Sequence, residues 1–194
     1  VNLLSQFLLL LKITRSSDIA RRYFVVNGFD GALTTLGIIV GLYHVGTTSI
    51  PLVISACFGA AIALGVSGLS SGYISESAER KRELQELEGA MVTDLATSAH
   101  GQASRLIPLV IALVNGAAPF VFALLIISPL WFASSFENLP LDPLESSIVV
   151  ALASIFLLGI FLGKVSGRFW LFSGLRTLMI AIMTAAIIFY LTPA

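Results

Sequence analysis

The sequence is short of charge and almost without sulfur. Charged residues occupy 11% of its 194 positions, against roughly 25% in soluble domains. That shortage excludes an ordinary water-soluble fold. Cys57 is the single cysteine and sits in an apolar run, which excludes an internal disulfide or a cysteine-rich metal site and leaves a small core residue. The formal net charge is zero, so there is no electrostatic case for nucleic acid as a partner. No glycine-rich loop precedes a helix to cradle phosphate, and no nucleophile, base and orienting group recur at a usable spacing. Nothing therefore supports an enzyme or a resident cofactor.

Apolar residues, in contrast, make up 57% of the chain, and the mean hydropathy is +0.96. A helical span needs about 20 predominantly apolar residues, and five segments meet that length, at about 24–44, 51–75, 105–128, 146–164 and 169–192. The expected fold is an all-α integral membrane protein with five transmembrane helices, embedded in a cell membrane or a vacuole-type membrane. Residues 1–22 form a separate N-terminal segment. Its apolar run VNLLSQFLLLL is too short to cross, and the spacing predicts a helix lying on the membrane surface, anchored by Lys12 and Arg15. It lacks the basic start and cleavage site of a signal peptide, and the absence of an initiator Met predicts a trimmed start. Ser17 or Asp18 is placed to cap the helix leading into the first span.

The bases fix an expected orientation. All eleven Lys and Arg residues fall before the first span, between the second and third, around the turn joining the fourth and fifth, or, for Arg176, about seven residues beyond that turn. The segment between the third and fourth spans carries Glu137, Asp142 and Glu145 and no base. By the positive-inside rule the N-terminus is cytoplasmic and the C-terminus is outside or lumenal.

The first span holds a bare carboxylate, Asp30. Taken in steps of three and four, Asn27, Asp30, Thr34, Gly37 and Gly41 form a seam that is polar or without side chains. Lipid has no use for such a stripe, whereas a pathway or a closely packed partner does. Asp30 is a candidate cation ligand or proton carrier, with Asn27 and Thr34 beside it. A structural reading stands next to this one. Arg176 lies at a similar distance into the fifth span from the same face, so a buried ion pair is open to it.

The second span is crowded with small residues. Ala61, Gly65, Gly68 and Gly72 share a face that continues without a phase break into Glu76, Glu79, Glu83 and Glu86. One long helix over about 51–88 is expected, small-faced in the membrane and acidic beyond it, followed by a polar connection to residue 104. Carboxylates three or four apart can share a hard cation if another helix completes the shell. Alternatively, they pair with Arg80, Lys81 and Arg82 on a solvated helix. Asp94 and His100 could add ligands. In the third span, Pro119 should bend the helix or free a carbonyl.

At this point the chain resembles a family, the vacuolar iron transporters. The likeness runs from about residue 20 to 192 and rests on NGFDGALTT at 27–35, SGLSSGYISESAE at 67–79, GAAP at 116–119 and GLR at 174–176. It implies a five-span homodimer that moves Fe2+ and related divalent metals out of the cytosol in exchange for protons. By the same likeness, Asp30 matches a membrane-embedded aspartate lining a pathway between two subunits. Two departures accompany it. Gly68 and Gly72 stand where the family's second span carries Met and Glu, and the connection after that span is too short for the family's cytoplasmic metal-binding domain.

The expected function is export of Fe2+ or Mn2+ by proton exchange. The candidate metal contacts are Asp30, Asn27, Thr34, Glu76, Glu79, Glu83 and Glu86, and the expected partners are a second copy, the bilayer, divalent cations and protons. The alternatives are a non-transporting membrane scaffold with Asp30 tied to Arg176, or a carrier of a non-metal solute.

Overall fold

A computed structural model describes residues 16–132 and 142–192 of the chain. The surface-helix reading of the N-terminus, with Lys12 and Arg15, and the segment containing Glu137 lie outside those residues. The described residues form five α-helices and no strand: α1 Ser16–His44, α2 Ile50–Met91, α3 Ala99–Trp131, α4 Pro143–Val165 and α5 Trp170–Leu191. Each is long and apolar enough to cross a membrane. Ser17 and Asp18 lie inside the first turn of α1, where Asp18 accepts a hydrogen bond from Arg21 at 2.9 Å.

The second span and the acidic stretch beyond it run as one helix of 42 residues. It ends at Met91, and Glu88 accepts a hydrogen bond from the backbone N–H of Leu95 at 3.0 Å, bracing the connection to α3. Asp94 also serves that connection, accepting the Ala96 N–H at 2.7 Å. Helix α3 starts at Ala99, earlier than the apolar run alone suggests, and continues through Pro108 and Pro119.

Contacts divide the chain into two compact units. One comprises residues 16–24 with Gly65–Ala117, and the other Val25–Leu64 with residues 118–132 and 142–192. In the first, Ala103, Ile107 and Ile111 are buried, with Ile19 and Tyr23 packed against them. Here the glycine face of α2 meets α3. A Cβ at Gly68 would come within 2.9 Å of the Asn115 carbonyl oxygen, and one at Gly72 within 2.9 Å of the Asn115 side-chain nitrogen. That nitrogen donates to the Gly68 carbonyl at 2.7 Å. The small face is thus a packing surface within the chain, as expected where lipid offers no hydrophobic drive for association.

In the second unit, Leu36, Ile39, Val53, Cys57, Ile126 and Ile155 are fully buried members of one apolar core. Cys57 is a free, buried thiol among them. Gly31 lies so near Pro119 that a Cβ there would land on the proline backbone. Helices α4 and α5 make a hairpin on glycines. A Cβ at Gly159 would fall on Thr177, and one at Gly163 would sit 2.7 Å from the Cβ of Ser173. The turn between them is a Schellman arrangement. Gly167 has φ +66, Arg168 N–H donates to the Gly163 carbonyl at 3.0 Å, and Gly167 N–H to Lys164 at 3.5 Å. Only glycine takes that left-handed position without a Cβ penalty. Asp142 precedes α4 with Pro143 in the first turn, and Glu145 accepts the Asp142 N–H at 3.4 Å and the Tyr43 hydroxyl at 3.0 Å.

Candidate functional site

Within the second unit, α1 meets the α4–α5 hairpin around a cavity of about 560 Å³. Asp30 reaches it from α1, Arg176 and Thr177 from α5, and Arg168 from the glycine turn. Apolar walls come from Phe29, Leu158 and Ile180. Local folding explains each placement. The Schellman turn brings Arg168 back over the hairpin, while the glycine contacts bring α4 and α5 close enough for Thr177 to donate to the Ile155 carbonyl at 3.2 Å.

Asp30 and Arg176 therefore share a wall, as their matched depths allow, yet no ion pair joins them among the described residues. The rest of the seam divides. Asn27 and Thr34 are half-buried and do not line the cavity. Gly37 and Gly41 accommodate Ile188 of α5, whose Cδ1 would lie 3.0 Å from a Cβ at position 37. One part of the stripe is thus a close-packing device, and Asp30 is the part that opens onto space.

The other candidate carboxylates, Glu76, Glu79, Glu83 and Glu86, belong to the first unit, where arginines engage three of them. Arg80 is buried and holds Glu76, also buried, at 2.7 Å and Glu83 at 2.8 Å. Arg82 holds Glu86 at 2.9 Å on the exposed face. Glu79 is exposed and makes no ion pair within 4 Å among the described residues. His100 lines a small crevice with Arg80 and Glu83, about 30 Å³ in volume and hence roomy enough for a water. Among the described residues, no three His, Cys, Asp or Glu side chains converge as a metal group.

Sequence reasoning missed Asn115, whose buried amide ties α3 to α2. The available signal was a lone amide in an apolar helix, followed directly by Gly116. It also missed the glycines of the α4–α5 hairpin, although Gly159 and Gly163 have the small-xxx-small spacing of close helix pairs.

The chain is 25% identical over 184 residues to the uncharacterized protein MJ0645 of Methanocaldococcus jannaschii, covering 93% of each. No protein-family model and no solved structure matches it.

Proposed function

We propose that the chain is a membrane carrier that takes up a cation at Asp30, with Fe2+ and Mn2+ as first candidates and protons as the exchanged ion. One observation supports this reading above others: a carboxylate well inside an apolar helix faces a cavity and has no ion-pair partner among the described residues. An acid at such a depth costs about 2.5–3.5 kcal/mol on insertion scales, and a group retained without a structural partner is functional by default. Exchange follows from the same cost. A bound cation neutralises Asp30 during one crossing and a proton neutralises it on return, so the bare carboxylate need never face lipid.

Orientation in this reading follows the bases, with the N-terminus cytoplasmic. The acids of α2 then lie on the cytoplasmic side, where Glu79 and the exposed edges of Glu83 and Glu86 raise the local cation concentration. A second copy completes the pathway as a homodimer. Because Gly65, Gly68 and Gly72 are occupied within the chain, the second copy would meet other surfaces, such as exposed Ser55, Gly59 and Ala63, which are spaced four apart on α2. No catalytic role is proposed.

Purified protein in sealed liposomes tests the reading, with Fe2+, Mn2+, Zn2+ and Co2+ offered in parallel and a pH-sensitive dye inside. Metal entry accompanied by opposing proton flux is expected, and Asp30→Asn should reduce both at least tenfold while the protein stays folded. Flux unchanged in Asp30→Asn would overturn the assignment of Asp30.

A further inference from the structure

We propose that the cavity beside Asp30 binds a head group pairing a primary ammonium with a phosphate, the chemistry of phosphoethanolamine. The inference rests on the reading of Asp30 as the receptor of a positive group and adds the second pole.

Its basis is the charge of the walls. Asp30 contributes one negative charge, and Arg168 and Arg176 contribute two positive ones, none joined to another by an ion pair among the described residues. A cation at Asp30 alone leaves both guanidinium groups without a counter-charge. A simple anion would meet the carboxylate. Only a ligand carrying both signs satisfies the whole wall, and a phosphate matches the excess of arginine better than a carboxylate does. Guanidinium groups bind phosphate through paired N–H donors, and two of them can share one group. The Ser173 hydroxyl lines the same cavity without a hydrogen-bond partner among the described residues and can donate to a phosphate oxygen. Thr177 differs in already donating to the Ile155 and Gly174 carbonyls.

The remaining lining is apolar, with Val26, Leu162 and Ile180 each more than two-fifths exposed at the edge of the cavity. A head group could therefore arrive attached to acyl chains, which would lie along those residues, or free from solution. Basic pockets between membrane helices are known places for lipid head groups.

Calorimetric titration of the detergent-purified full chain separates the outcomes. The probes are free phosphoethanolamine, dihexanoyl phosphatidylethanolamine and dihexanoyl phosphatidylglycerol, the lipids held below their micelle concentrations. Binding of the ethanolamine lipid at least tenfold tighter than the glycerol lipid is expected. Arg176→Gln should weaken it at least tenfold, Arg176→Lys less, and Asp30→Asn should abolish the preference for ethanolamine. Equal affinity for free phosphoethanolamine would assign a soluble ligand, and binding of the lipid alone would assign the bilayer as its source. Either supports the proposal. No binding of any ammonium phosphate to the folded wild-type chain, or binding indifferent to Arg176→Gln and Arg168→Gln, overturns it. Metal flux that persists in that event leaves the carrier reading standing. Loss of flux with lipid binding intact removes the carrier reading alone.

Discussion

Asp30 and Glu76 are both acids on long apolar helices, and their surroundings differ in kind. Glu76 is buried against Arg80, which reaches back one turn to it and also holds Glu83. Asp30 faces a cavity with two arginines on its walls and takes neither. An acid that has its counter-ion built in one turn away is part of the architecture, because the pair closes locally and leaves nothing for a ligand to do. An acid held apart from available counter-ions keeps its binding capacity. Sequence position does not separate the two cases, but the partners do.

The comparison breaks most forcefully at Arg80. Removing one member of a buried pair leaves an uncompensated charge, at about 3–5 kcal/mol. Arg80→Ala should therefore cause the largest loss of stability, read by thermal unfolding in detergent. Glu76→Met combined with Arg80→Leu should recover most of it, since replacing both partners with apolar groups is often neutral. If Arg80→Ala unfolds at the wild-type temperature, Glu76 is not an architectural acid and the contrast with Asp30 fails.

A smaller effect is expected on the small-residue face of α2. Gly68→Met brings in the methionine of the iron-transporter pattern that the sequence resembles, but its Cβ would press on the Asn115 carbonyl, which is backbone and cannot swing away. Overpacking of this kind costs about 1–3 kcal/mol. The variant should melt lower without gaining metal affinity, as measured by unfolding and by flux in liposomes. A gain in flux would instead show that this face of α2 is open to ions, and would weaken the division between packing acids and binding acids.

Much of this arrangement is legible in the residues. Five apolar runs of spanning length fix five helices. The unbroken face from Ala61 to Glu76 fixes the continuity of α2, because a loop would have reset the phase. The common wall of Asp30 and Arg176 follows from their matched depth. Their failure to pair does not, since depth along an axis leaves rotation about it undetermined. For the same reason, the glycines of α2 announce a close neighbour without naming it, and α3 with Asn115 emerges only once the helices are placed. The α4–α5 hairpin is partly hidden too: Gly167 signals the turn, yet which faces meet depends on Gly159, Gly163 and Gly174 acting together.

The smallest expected effect concerns Arg82, and it sharpens the comparison. Its pair with Glu86 is exposed on both sides, at 74% and 64%, and exposed pairs contribute little to stability. Arg82→Ala should leave unfolding unchanged. It does, however, remove a positive charge from the face that carries Glu79, Glu83 and Glu86, and so makes that face more acidic. If these acids concentrate cations for Asp30, the half-saturating metal concentration should fall modestly at low ionic strength. The difference should vanish in high salt, where the screening length shrinks to about 3 Å at 1 M. Stability and affinity would then respond to different arginines on the same helix, Arg80 governing one and Arg82 the other. An unchanged half-saturation at low salt would remove the α2 acids from the transport path and leave Asp30 to act without them.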